Sequence, residues 1–228
     1  MNKVVLFVTM MTGLLLSAQS NKQEMITIEK NVLYKAQRLN DLSVAKTALY
    51  RLIELEGENS TYKDSLTYVF FTARQYAPCF MMAEEVLKRE PDHKTILEIK
   101  AVSLEALGAL DKSMEAYQQL FQLTKDNFHG YNVAKLQLSI QQAEAAYTTI
   151  KQVETLNDSG KIKVSFAINQ NHNQEVELLA AIPYLKGLIE EELKKTAEAK
   201  VSYGKALKVQ PDFVHAKERL EALNSVQN

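Results

Sequence analysis

Residues 187–211 read GLIEEELKKTAEAKVSYGKALKVQP, and this stretch decides the fold. Its second half, from Ala199 to Leu207, is amphipathic and ends at Gln210-Pro211-Asp212. Proline stops a helix there because it lacks an N–H and clashes with the preceding turn. A second segment of the same design, Cys79 to Leu87, ends at Glu90-Pro91-Asp92. Both segments set a small residue twelve places before the proline, Cys79 and Ala199. Ala83 and Tyr203 stand eight before it, and Val86 and Ala206 five before it. These are helical spacings along one buried stripe.

Moving 34 residues forward from Cys79 reaches Ser113, in a segment where Leu104, Tyr117 and Leu120 keep register and Gly108 marks the turn. Moving 34 back reaches Ala45. The chain therefore divides into units of about 26–59, 60–93, 94–127 and 180–213. Residues 128–158 read as a shortened unit, its turn about four residues too short, with Tyr131, Ala134 and Leu138 followed by Ala143, Tyr147, Ile150 and Val153. A single helix pair cannot bury its stripe alone, so neighbours must stack.

The pattern resembles the tetratricopeptide repeat (TPR), whose signature residues match Gly187, Ala199, Tyr203, Ala206 and Pro211 in order and spacing. Two positions depart from it, since Glu29 and Lys63 stand where the repeat has a large residue. The resemblance implies an all-α, right-handed α-solenoid of antiparallel helix pairs. It also implies a concave groove lined by the first helix of each pair. That face would present Tyr34, Arg38, Tyr68, Phe71, Glu98, Glu105, Asn132 and Tyr184 as partner-binding residues. The pairing of a basic residue and Asn with which chaperone-type relatives hold a free carboxylate is not expected in this chain, and neither is recognition of a free C-terminal carboxylate.

Residues 160–179 break the helical pattern. Ile162, Val164, Phe166 and Ile168 alternate with Lys163, Ser165 and Ala167, and Glu175 to Leu178 alternate again. Period two argues for strands, so a β-hairpin is expected near 161–179. A two-stranded hairpin is marginal by itself, so it must lean its apolar face on the helices or offer its free edge to a partner strand. Pro183 is expected in the first turn of the following helix, where its missing N–H costs little. A capping helix is expected over 213–224, with Phe213, Ala216, Leu220 and Leu223 inward and Lys217 to Arg219 outward.

The first residues read as an address. Lys3 precedes an apolar run from Val4 to Leu16, and Ser17-Ala18-Gln19 offers a cleavage site after Ala18. This is the layout of a secretory signal peptide, so residues 1–18 are expected to be removed and the mature chain exported, to a periplasm. The run is too short for a transmembrane span, which needs roughly 20 apolar residues, so no span is expected in the mature form.

With 27 basic and 28 acidic side chains, the balance gives no electrostatic reason for nucleic acid. One cysteine, Cys79, excludes an internal disulfide and a multi-cysteine zinc site, and is expected to be a small buried side chain. His93, His129, His172 and His215 form no ligand cluster in sequence, and no phosphate loop or nucleophile elbow is present. Glu84-Glu85 and Glu190-Glu191-Glu192 are expected on solvated helix faces. No catalytic residue, cofactor or metal is expected. The function expected is a non-enzymatic scaffold of the bacterial cell envelope that binds a protein or peptide. An assembly subunit of an envelope complex is the alternative, and an enzyme with a pocket between the hairpin and the last helix pair is a third reading. Oligomeric state is open.

Overall fold

The computed structural model describes residues 2–156 and 162–225, with side chains from residue 19 onward. Residues 157–161 and the side chains of residues 1–18 lie outside that description. Among the described residues there are eleven helices and one two-stranded hairpin. The helices follow one another as antiparallel pairs: α1 (Asn2–Arg38) with α2 (Leu42–Glu56), α3 (Tyr62–Thr72) with α4 (Tyr76–Arg89), and α5 (Lys94–Ala106) with α6 (Leu110–Thr124). Then come α7 (Asn127–Ser139) with α8 (Ala143–Val153), β1 (Lys163–Asn169) and β2 (His172–Glu177), and α9 (Leu178–Glu192) with α10 (Thr196–Val209). Helix α11 (Val214–Ser225) closes the chain. Two compact units result, residues 1–99 and 100–228, with the boundary inside α5.

All five pairs turn in the same way. The residue at the centre of each turn has a positive φ: Asn40 (54°), Arg74 (54°), Gly108 (76°), Gln141 (63°) and Lys194 (60°). Its N–H reaches back three residues, as from Lys194 to the Glu191 carbonyl at 2.9 Å. The next N–H reaches back five, as from Lys195 to Glu190 at 2.7 Å and from Gln142 to Gln137 at 2.8 Å. This is the Schellman arrangement, which satisfies the last carbonyls of the first helix. Each turn is three residues long, 140–142 included, so the expected shortening there is not found. What is short in that pair is α8, with 11 residues against 14 or 15 in the other second helices.

Small residues let paired helices touch. Cys79 is buried, with its thiol directed at the Thr67 carbonyl 3.5 Å away. Ser113 donates to the Ala101 carbonyl at 2.8 Å across the same twelve-residue interval. In the last pair Gly187 lies against Tyr203, where a Cβ on the glycine would stand 2.5 Å from Tyr203 Cε1. The two prolines give matching turns, since Glu90 N bonds Val86 O at 3.0 Å and Gln210 N bonds Ala206 O at 2.9 Å.

Glu29 and Lys63, the two departures from the repeat, are both buried, and each is ion-paired with the second helix of its own pair. Glu29 meets Arg51 at 2.9 Å and Lys63 meets Glu85 at 3.3 Å, each 22 residues on. Burial of a charge demands such a partner.

Pro183 differs from expectation. Helix α9 starts at Leu178, so the proline is its sixth residue and lies inside the helix. The N–H that would bond the Leu179 carbonyl is missing. Leu179 is exposed, so water can serve that carbonyl and the cost falls. The helix starts this early because β2 runs into it directly, with Leu178 N bonding Ile162 O at 2.9 Å.

The hairpin is antiparallel, pairing Val164 with Val176 and Phe166 with Gln174. Its buried and exposed residues alternate, and Val176 is fully covered. The Asn169 side chain accepts from Asn171 N at 3.0 Å in the connecting turn. The outward edge of β2 is sealed by a side chain: Gln210 accepts from Glu177 N at 3.0 Å and donates to Glu175 O at 3.3 Å. Gln174 in turn donates to Asp212 O at 2.7 Å and accepts from Val214 N at 3.0 Å. Among the described residues no helix is long and apolar enough to cross a membrane.

Candidate partner-binding surface

The first unit carries four of the expected residues on α1 and α3, and Glu98 half-buried on α5. Tyr34 is 60% exposed and Tyr68 41% exposed, high values for such large apolar rings. The Arg38 guanidinium lies 5.8 Å from the Tyr34 ring centre. Lys30, one turn earlier on α1, lies 5.9 Å from the Tyr62 ring. Contacts of this kind contribute about 0.5–1 kcal/mol at exposed sites. Phe71 is half-buried and meets Tyr76 edge-on at 6.5 Å.

Charge on this unit is uneven. Glu29 is taken by Arg51, Asp64 by Arg89 at 2.8 Å, and Glu85 by Lys88 at 2.6 Å and Lys63. The hydrogen bonds from Lys88 and then Lys63 hold the Glu85 carboxyl below its usual value. Arg38 and Lys30 have no carboxylate partner among the described residues. Helices α1 and α3 therefore each carry an exposed phenol ring, and α1 carries the unmatched cations.

In the second unit the expected residues are committed to the chain itself. Glu105 pairs with Lys135 at 2.8 Å. Asn132 is buried and donates to the Phe128 carbonyl at 2.9 Å. Tyr184 is buried beneath Phe166 of the hairpin (ring centres 5.5 Å) and Phe213 (4.8 Å), with His215 stacked at 6.4 Å. Asn132 and Tyr184 are thus not open to a partner, and Tyr184 is instead the seat of the hairpin. His215 Nε2 donates to the Ala167 carbonyl at 2.9 Å, which ties α11 to β1. Nothing in the local sequence around Tyr184 signals this cover, since Phe166, Phe213 and His215 come from three other segments.

The triple glutamate also departs from expectation. Glu190 is 2% exposed and accepts from Ser202 Oγ at 2.6 Å. Glu191 accepts from the Tyr203 hydroxyl and lies 3.7 Å from Arg219. Burial, then the bond to Glu191, pushes the Tyr203 phenol well above its usual value. Burial does the same to Tyr131, with Tyr184 and Glu105 adding to it.

The space where the hairpin meets α9 is filled by Phe166, and His172 is exposed on the hairpin. The other histidines serve the backbone or a neighbour: His93 Nδ1 accepts from Ile96 N at 3.4 Å, and His129 Nδ1 is 2.9 Å from Thr124 Oγ1. Among the described residues no group of three His, Cys, Asp or Glu is placed to hold a metal ion.

Residues 182–213, the last helix pair, match the family model described as tetratricopeptide repeat. No curated protein matches the chain in sequence. Solved structures share its fold at low identity. YrrB, described as a TPR protein with an unusual peptide-binding site, is 16% identical, with a TM-score of 0.64 over 82% of this chain and 88% of YrrB. A tetratricopeptide repeat protein from Parabacteroides merdae is 14% identical, with a TM-score of 0.64 over 88% of this chain and 72% of that one. MamA is 16% identical, with a TM-score of 0.59 over 71% of this chain and 84% of its own.

Proposed function

From a tetratricopeptide repeat protein with Tyr34 and Arg38 exposed on α1 and Tyr68 exposed on α3, we propose a non-enzymatic scaffold that binds a protein or peptide through these residues. The observation that carries this reading is the pairing of exposed Tyr34 with Arg38 on α1, with Tyr68 exposed on α3. Aromatic and arginine side chains dominate binding energy at protein interfaces. The peptide-binding site in the description of YrrB is in keeping with it. We further propose that residues 1–18 are a signal peptide and that the mature chain works in the bacterial cell envelope, on the strength of Lys3, the apolar run to Leu16 and Ser17-Ala18-Gln19.

The experiment compares the chain with its Arg38→Ala/Tyr68→Ala/Phe71→Ala variant as bait in native envelope extract. Partner recovery is expected to fall by about tenfold or more, with the far-ultraviolet helical signal unchanged. Equal recovery from both baits refutes the surface. Intact mass of the chain purified from its own cells reads the cleavage, and a chain that retains residues 1–18 refutes the export reading.

A further inference from the structure

In an antiparallel pair, residues directly opposite each other turn their backbone N–H and C=O either toward one another or both outward. On β2, Glu177 N and Glu175 O turn outward, where Gln210 meets them at 3.0 and 3.3 Å. Their opposites on β1 are Lys163 and Ser165, which therefore turn outward along the other edge. Ala167, opposite Asn173, does the same, and His215 Nε2 meets its carbonyl there at 2.9 Å. Ahead of that bond stand the N–H and C=O of Lys163 and of Ser165, with no hydrogen-bond partner among the described residues. An open strand edge of this kind is a template for another strand.

Symmetry and charge fix which strand suits it. Two copies meeting about a two-fold axis normal to the sheet set β1 antiparallel to β1 of the second copy. Lys163 facing Lys163 of the second copy is refused by like charge. Ser165 facing Ser165 would set Lys163 N against the Ala167 carbonyl, which His215 already holds. Val164 facing Val164 needs Lys163 and Ser165 alone. Each Lys163 then exchanges both its backbone groups with Ser165 of the other copy, and every one of those groups is satisfied. The side chains agree with this register. On the helix side Val164 stands opposite Val176, which is fully buried, so an unbroken row of valines crosses the sheet. On the outer side Lys163 stands opposite Glu177, and Ser165 opposite Glu175. The row across the strands then runs Glu177, Lys163, Ser165, Glu175, with no like charges adjacent.

We infer that the chain pairs with a second copy of itself through β1, centred on Val164, to form one continuous antiparallel sheet. Each outer strand is then β2, whose edge Gln210 covers, so pairing stops at two copies.

The test is sedimentation velocity of the chain purified from its own cells. An interface this small implies a Kd of about 100 μM, so a monomer is expected at about 5 μM and a mostly dimeric chain at about 500 μM. Ser165→Pro removes the outward N–H and leaves the β1–β2 ladder whole, since proline is tolerated where the N–H faces out of the sheet. It is expected to weaken the dimer by about tenfold or more. Ser165→Lys faces Glu175 within its own hairpin but Lys163 of the second copy, and is expected to weaken the dimer by about fivefold. Lys163→Ser/Ser165→Lys exchanges the two side chains, removes that repulsion and should restore the parent's affinity. Methyl contact between Val164 and Val176 in NMR spectra reads whether the hairpin is intact, and where Ser165→Pro loses it the two lysine variants decide. A monomer at about 500 μM, a dimer undiminished in Ser165→Lys or in folded Ser165→Pro, or no recovery in the exchanged variant overturns the pairing. No other protein enters the measurement, so its outcome is independent of capture through Tyr34, Arg38 and Tyr68.

Discussion

Two glycines on facing helices should respond to the same substitution with opposite signs. Gly187 lies inside α9 and Gly204 inside α10. On helix propensity alone, Gly→Ala gains about 0.8–1.0 kcal/mol at either place. At Gly204 nothing lies within 4 Å of the added methyl, so the gain is realised. At Gly187 the methyl would stand 2.5 Å from Tyr203 Cε1 and 2.8 Å from Cδ1 and Cζ. That ring cannot swing aside. It is fully buried, faces Tyr184 at 5.7 Å, and is tethered through its hydroxyl to Glu191. Overpacking of this kind costs about 1–3 kcal/mol. Taking the upper end and subtracting the propensity gain leaves Gly187→Ala less stable by about 2 kcal/mol. Thermal melts followed by circular dichroism at 222 nm read the difference. For a chain of this size the melting temperature should fall by about 4–8 °C for Gly187→Ala and rise by about 2–4 °C for Gly204→Ala. In a Tyr203→Leu background the Gly187→Ala penalty should disappear, because the two sites couple only through the ring. Gly187→Ala melting at or above the parent would refute the close-approach argument.

Three further outcomes are expected. Gln141 and Lys194 hold left-handed conformations that cost a non-glycine residue about 1–2 kcal/mol, so Gln141→Gly/Lys194→Gly should melt about 2–4 °C higher, net of the entropy glycine adds to the unfolded chain; Gly108→Ala should melt lower. Tyr131 and Tyr203 have phenols raised above their usual 10.0 in the folded chain; a raised pKa means their stabilisation is whole below about pH 10 and is lost as pH rises further, so Tyr131→Phe should match the parent near pH 7 and lose stability less steeply between pH 9 and 11.

The helix pairs were legible because the pattern is local and repeated. Cys79 and Tyr203 belong to stripes set at fixed intervals before Pro91 and Pro211, and at both residues the paired helices touch. The hairpin was legible from period two over Ile162 to Ile168, which half-burial on alternate residues reproduces. The centres of the turns were not legible beyond Gly108, because the Schellman hydrogen bonds impose a positive φ on whatever residue stands there, Arg74 and Lys194 included. Glu190 looked like solvated helix, and only its contact with Ser202 on the next helix makes it a buried acceptor. Among the expected binding residues, Tyr34, Arg38 and Tyr68 are open, whereas the hairpin and α11 cover Tyr184 from distant parts of the chain. Pro183 was misplaced because β2 hands over to α9 without a loop, which carries the helix start upstream of the proline.

Gln210, whose amide stands in for a neighbouring strand against Glu177 N and Glu175 O, gives the hairpin a handedness of use. A ribbon with both sides open can grow without limit once chains crowd together. Here one side is plugged by a residue of the same chain, so a newcomer can join only along β1, beyond the point where His215 holds Ala167 O. Such a ribbon can end an assembly but cannot propagate a fibre, a safeguard for any protein kept at high local concentration.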